Sequence, residues 1–340
     1  MLDSHSPPGL RVVQITTDPT RPSWNVYTEA PVFTSDSRRF VFIREGNYWL
    51  CDIGDNFALR QLTDERGAKG AAVSPDGKWM YYIVEDSERT AAALVLKRMS
   101  LADYRRKVIF TIKDKVPGTG FRPSRVYPLT TISSDGERLA TSCFLGDGKT
   151  EKAPFGLLVF ELRRPSVRVF PLGPDFNNMH PQYCRSRDPE RSHDILIQHN
   201  HGSVVDASGK TVKLVGGDGA DLHVMRDDGA NWRDIPIGRD GREYVQGHQQ
   251  WRGRMPSVSD TNAVDPVTKE KRITLVIGSL TGAGQPVLKL RYLLNTRTSG
   301  LDQPMHPHPF FSPDARMAFF NSDAAGKPQV WMVTRYQFPE

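Results

Sequence analysis

Ala72-Val73-Ser74-Pro75-Asp76-Gly77-Lys78, running on into Trp79-Met80-Tyr81-Tyr82-Ile83-Val84, decides the fold. Apolar residues enter a Ser-x-Asp turn, and apolar residues leave it. A proline and a glycine stand where a tight turn between antiparallel strands needs them. The phrase returns as Val32-Phe33-Thr34-Ser35-Asp36-Ser37-Arg38-Arg39 before Phe40-Val41-Phe42-Ile43. It returns as Ile132-Ser133-Ser134-Asp135-Gly136-Glu137-Arg138 before Leu139-Ala140-Thr141-Ser142, and as Phe310-Phe311-Ser312-Pro313-Asp314-Ala315-Arg316 before Met317-Ala318-Phe319-Phe320. Degenerate copies lie around Tyr183-Cys184-Arg185-Ser186-Arg187-Asp188-Pro189 and Gln250-Trp251-Arg252-Gly253-Arg254.

More strands follow each hairpin, most clearly Asn47-Tyr48-Trp49-Leu50-Cys51-Asp52 and then Leu59-Arg60-Gln61-Leu62-Thr63. Four strands per unit at a spacing of roughly 40–60 residues is the signature of a β-propeller. The expected fold is therefore all-β, a β-propeller of seven four-stranded blades. Six blades are read directly, and a seventh is expected between His180 and Trp251, where Thr211-Val212-Lys213-Leu214-Val215 reads as an extra strand. Arg11-Val12-Val13-Gln14-Ile15-Thr16 resembles a fourth strand, while the C-terminal unit stops at a third, Val330-Trp331-Met332-Val333-Thr334. The N-terminal strand is expected to complete the last blade and so remove a free edge. The whole chain, 1–340, reads as a single β-propeller domain with an irregular segment over residues 1–9.

The net charge of the 340 residues is +6, which favours anionic ligands. No Lys/Arg block is longer than Arg105-Arg106-Lys107, so the charge is weak support for nucleic acid and suits a small acidic substrate equally well; no nucleic-acid partner is expected. Cys51, Cys143 and Cys184 lie too far apart for a Cys-x-x-Cys metal site or a disulfide framework. Residues 1–8 lack an apolar leader core and no run of 18 apolar residues occurs, so a cytoplasmic chain with no membrane partner is expected, or a periplasmic one if a leader has been removed.

The residues that carry chemistry begin at Gln303-Pro304-Met305-His306-Pro307-His308-Pro309. In an extended segment residues i and i+2 point to one side. His306 and His308 are thus expected to aim their imidazoles at one point, with the Gln303 carbonyl oxygen joining from the loop before. Two nitrogens and an oxygen suit a borderline or hard divalent metal. Propeller topology extends the group. His180, His248, His306 and His308 precede first strands, and His199 and His201 end a second strand, which returns antiparallel to the same face. All six are expected at one mouth of the channel. The same rule puts Arg44, Arg125 and Tyr127 there, with Arg185 just beyond His180 and Trp251 just beyond His248. His223 reads as an ordinary sheet residue.

Gln303-x-x-His306-x-His308 followed by Pro-Phe-Phe-Ser-Pro-Asp, together with Gly247-His248-Gln249-Gln250-Trp251, resembles the oligogalacturonate lyase family. The resemblance covers about the C-terminal half. It implies a seven-bladed propeller in which His248, Gln303, His306 and His308 hold a divalent metal, manganese first, with zinc, nickel or cobalt also suited. Met179-His180-Pro181-Gln182-Tyr183 is a weaker match. His199-Asn200-His201-Gly202 stands where the family tends to show His-Glu-Gly, so Asn200 and His201 depart from it. The activity implied is β-elimination on a short, anionic uronate oligosaccharide. The metal would engage the C6 carboxylate, a neutral histidine would take the C5 proton, and the group at C4 would leave. His180 and His199 are the two candidates for the base, and Arg185 is the candidate partner of the substrate's charge. His201, Arg44, Arg125, Tyr127 and Trp251 are candidates for binding substrate. The reading from another class is a non-catalytic propeller that binds or senses, its metal structural. A propeller peptidase is disfavoured, since neither a Gly-x-Ser-x-Gly elbow nor an α/β domain is present.

Overall fold

The Ser-x-Asp turns build the hairpins in the same way four times. In the second blade the Ser74 hydroxyl donates to Asp76 Oδ1 at 2.6 Å and accepts from the Trp79 N–H at 3.0 Å. Asp76 also accepts from the Lys78 N–H at 3.1 Å. Thr34 with Asp36, Ser133 with Asp135 and Ser312 with Asp314 repeat the arrangement. In the first copy the hydroxyl comes from Thr34 and not from Ser35. Gly77 and Gly136 take the left-handed position at φ 70 and 74, and Ser37 and Ala315 hold it at φ 59 and 57.

The Thr34 hydroxyl holds Asp36 below the ordinary carboxylate range. Partial burial pushes Asp76 and Asp314 upward, but the Ser74 and Ser312 hydroxyls and the following backbone N–H groups outweigh it, so both also sit low. A folded pKa below the unfolded value of about 4 gives stability that is present above that value and lost as pH falls through the folded one. Asp76→Ala should therefore lower stability by about 0.5–1 kcal/mol at pH 7. Urea titration should find the gap to the parent narrowing as pH falls below about 4; a gap undiminished by acid would rule out the carboxylate as its source.

The computed structural model describes residues 1–28, 30–85, 94–214, 220–238, 256–260, 267–270, 272–281 and 287–339. Two compact units emerge: Met1–Thr28, Val32–Asp64 and His248–Glu340 form one, and Glu29–Pro31 with Glu65–Gly247 the other.

The first unit contains a four-stranded antiparallel sheet of Ser23–Asn25, Arg39–Arg44, Asn47–Asp52 and Ala58–Gln61. Its last blade comprises Phe310–Phe311, Met317–Ser322 and Gln329–Thr334, and Arg11–Gln14 adds the fourth strand by pairing with Trp331 to Thr334. Closure by the N-terminal strand is thus as expected. Phe33, Phe40, Phe310 and Phe319 stack between these two blades, with the Phe310 and Phe319 rings 5.2 Å apart at 11°. Pro256–Asp260, Thr274–Thr281 and Val287–Asn295 make a three-stranded sheet.

The second unit holds three four-stranded blades. Ala68–Val73, Trp79–Glu85, Leu94–Ser100 and Arg106–Ile112 form one; Thr130–Ile132, Arg138–Phe144, Phe155–Glu161 and Ser166–Gly173 the next; Gln182–Tyr183, Asp194–Asn200, Ala220–Arg226 and Arg233–Gly238 the third. The middle blade shows why central strands read as unbroken apolar runs. Leu139, Cys143, Leu158 and Phe160 face the core shared with Tyr81, Ile83 and Leu96. The alternate residues Ala140, Phe144, Leu157 and Val159 face the core shared with Tyr183, Ile195 and Ile197. Both faces are buried, so both parities must be apolar.

Blade number is the main correction. Five complete four-stranded blades and one three-stranded sheet stand among the described residues, against the seven blades expected. The interval assigned to a seventh blade folds otherwise. Thr211–Lys213 pairs with Val204–Val205 as a two-stranded ribbon, inserted between the second and third strands of an existing blade. The degenerate copy at Gln250 to Arg254 lies outside the described residues. Among the described residues no helix is long and apolar enough to cross a membrane, and all three cysteines are buried free thiols.

Candidate functional site

In the first unit a strap carries the metal-ligand candidates into the last blade. Gln303–Met305 forms one 3-10 turn, and the His306 N–H closes it on the Gln303 carbonyl at 3.1 Å. His306 is half-buried, His308 buried and Gln303 exposed. Two buried asparagines clamp the strap. The Asn321 side chain donates to the His306 carbonyl at 3.0 Å, and its N–H donates to the Pro307 carbonyl at 2.7 Å. Asn25 donates to the His308 carbonyl at 3.1 Å, and its own N–H donates to Asn321 Oδ1 at 2.8 Å.

The two imidazoles are neighbours, their centroids 5.7 Å apart. They are not brought together by an extended strand, as the i, i+2 rule supposed. His308 sits in the left-handed region at φ 40, and the strand begins only at Phe310. The ring of Tyr27 lies 4.3 Å from that of His308. Two imidazoles and an exposed amide on one asparagine-clamped strap fit a divalent ion by donor chemistry. His248 and Trp251 lie outside the described residues. Arg44 is buried, its Nε donating to Ser23 Oγ at 2.8 Å and its guanidinium 5.3 Å from the Trp49 ring centroid. Those contacts hold its Nε and its plane inside its blade.

In the second unit His180 is buried at φ 47 on the strap before Gln182–Tyr183. The carbonyl of Met179 accepts from the Gln198 N–H at 2.7 Å, which lays this strap beside the end of the strand bearing His199. Asn200, the departure from the family's acid, is fully buried and structural. Its side chain donates to the Asn177 carbonyl at 2.6 Å and accepts from Gln198 Nε2 at 2.8 Å.

His199 stacks on Phe176 at 3.9 Å and 12°, and its centroid is 3.7 Å from that of His201. Burial pulls the His199 pKa down, against the Asp175 carboxylate that pulls it up. His223 joins them and is not the ordinary sheet residue that its sequence context suggests. Strand pairing puts His223 opposite Ile197, which shares its face with His199. Donor atoms of His199, His201 and His223 all lie within 4.8 Å of one another. The missing signal was register, which a one-residue slip would reverse.

Arg125 and Tyr127 share a cleft of about 650 Å³ with Lys69, Lys210 and Thr211. Arg125 Nε donates to the Ser208 carbonyl at 2.6 Å, which ties the cleft to the ribbon. Lys69 Nζ meets Glu85 at 2.5 Å, and burial raises the pKa of Tyr127. Arg185 is half-buried just past the strand Gln182–Tyr183.

No family model and no curated protein matches the chain. Solved structures do. An oligogalacturonate lyase from Vibrio parahaemolyticus matches with a TM-score of 0.64 and 17% identity, over 99% of this chain and 96% of that one. An oligogalacturonate lyase in complex with manganese matches with a TM-score of 0.62 and 20% identity, over the same shares of both chains. The resemblance that the sequence carries in its C-terminal half therefore holds for the fold of nearly the whole chain, an all-β propeller.

Proposed function

We propose that this oligogalacturonate-lyase-like propeller is a metal-dependent lyase that cleaves short uronate oligosaccharides by β-elimination. The observation that carries the reading is the paired imidazoles of His306 and His308, held by Asn25 and Asn321 one turn after Gln303. Those two histidines and Gln303, with His248, would hold a divalent ion, manganese first. When bound, such an ion supplies Lewis-acid stabilisation of the charge that gathers on a C6 carboxylate as the C5 proton leaves.

The chain's own groups do the rest. A histidine, His180 or His199, accepts the C5 proton. The C5–H electron pair becomes the C4–C5 double bond, and the C4–O bond breaks with its electrons passing to the departing sugar, which takes a proton. Arg185 pairs with substrate charge, as an arginine fork suits a carboxylate. Within the second unit, Arg125 and Lys210 give the 650 Å³ cleft cationic groups that suit a carboxylate, while Lys69 is already paired with Glu85. The +6 net charge favours the same polyanion.

The test is ultraviolet absorbance during incubation with oligogalacturonate, with metal content measured on the same protein. The new conjugated double bond should raise absorbance. Exhaustive chelation should abolish the rise, and Mn²⁺ should restore it. Full activity after chelation, or neither metal nor a rise, would overturn the proposal.

A further inference from the structure

We propose that His199, His201 and His223 form a transition-metal site of their own, completed by residues of the 65–247 unit and needing no other. The Nε2 atoms of all three are buried; those of His199 and His201 face the Asp175 and Asp221 carboxylates, and that of His223 makes no hydrogen bond among the described residues. His223 is 9% exposed, so water does not satisfy it. A buried imidazole nitrogen in that state is exceptional, because buried polar groups are hydrogen-bonded as a rule. His199 stacks on Phe176 and His223 lies against Trp232, while donor atoms of the three imidazoles come within 4.8 Å of one another.

Carboxylates surround the triad. Asp175 Oδ2 lies 2.9 Å from His199 Nε2, Asp221 Oδ2 2.7 Å from His201 Nε2, and Asp234 Oδ1 2.7 Å from His223 Nδ1. Asp234 can fix the His223 tautomer that leaves Nε2 as the ligand, the usual arrangement behind a metal-bound imidazole. Asp175 and Asp221 supply charge for a divalent cation and lie close enough to become ligands. Three nitrogens with carboxylate oxygens select zinc or cobalt over magnesium or calcium. At bond lengths of about 2.0–2.1 Å, tetrahedral ligand atoms sit about 3.4 Å apart. The present limit of 4.8 Å closes to that by small ring rotations, chiefly of His201, which lies beyond the end of its strand.

This site goes beyond the lyase reading and bears on it, because a metal-bound His199 cannot take the C5 proton and leaves His180 as the base. The test loads the whole protein with Co²⁺ and follows its visible absorption, with metal counted after gel filtration. A variant carrying H306A and H308A should still hold one equivalent. Adding His201→Ala to it should weaken Co²⁺ binding 10-fold or more, and so should His223→Ala. His201→Ala lies past the strand end, so it separates ligand loss from misfolding, and circular dichroism checks both. Loss of all Co²⁺ on H306A and H308A alone, or binding unmoved by His201→Ala and His223→Ala, would overturn the triad site. Failure of the lyase reading shows separately, as absent elimination in the parent.

Discussion

His308→Ala should leave a folded protein whose kcat/KM for uronate elimination has fallen about 1,000-fold. Lewis-acid stabilisation of a developing enediolate is worth several kcal/mol, and each 1.36 kcal/mol is a factor of ten. His308 is the buried member of the pair, with its ring against Tyr27 and its carbonyl held by Asn25. Truncation removes one proposed ligand and leaves the strap in place, because its clamps bind backbone carbonyls. Asn321→Ala is the complementary variant. It keeps both imidazoles but frees the carbonyl of His306, so it should lower metal affinity by about 10–100-fold, as loss of a supporting contact does. Metal per chain and initial rate, measured together on both variants, test this. A His308→Ala protein that keeps full metal and full rate would remove His308 from the site.

The largest stability effect should come from Arg138→Ala, about 3–5 kcal/mol. Asp227 is fully buried and accepts from the Arg138 guanidinium, from the Tyr183 hydroxyl at 3.0 Å and from His193 Nδ1 at 2.9 Å. Removing the arginine leaves a buried carboxylate without its counter-charge, and that desolvation is what the variant exposes. Burial, reinforced by the Asp227 carboxylate, pushes the Tyr183 hydroxyl well above its ordinary pKa, so it remains a neutral donor and cannot replace the lost cation. Arg138 also meets Glu161 at 2.7 Å, outside the buried pair. Replacing Arg138 and Asp227 together by apolar residues should therefore destabilise less than Arg138→Ala alone. Urea unfolding of the single and double variants checks the order. A double variant worse than the single would show that the network stabilises beyond its charge balance.

The hairpins were legible because each rests on a few neighbouring residues. A hydroxyl, a carboxylate two places on and a left-handed position specify the turn wherever they occur, as Ser74, Asp76 and Gly77 do. The closing strand was legible because Arg11 to Gln14 lacks a blade of its own. Blade number was not, since it depends on which strands pair. Thr211–Lys213 has the composition of a blade strand and became a ribbon because Val204–Val205 lies within a short turn of it. The histidine pair was legible as a motif but misread in conformation, because the φ of 40 at His308 is set by tertiary clamps. His223 needed the register of two strands 20 residues apart. Asn200, read only as a departure from the family's pattern, ties down the loop at Asn177.

The pairing of Arg11–Gln14 with Trp331 to Thr334 sets a timetable for synthesis. The first strand leaves the ribosome about 320 residues before its partner, and at roughly 5–20 residues per second it waits on the order of 16–64 seconds. Through that interval the blade it belongs to does not exist, and its apolar stretch is an open edge that any other nascent strand could pair with. Production at lower temperature, or slower initiation that spaces ribosomes along the message, bears directly on how much of this chain matures instead of aggregating.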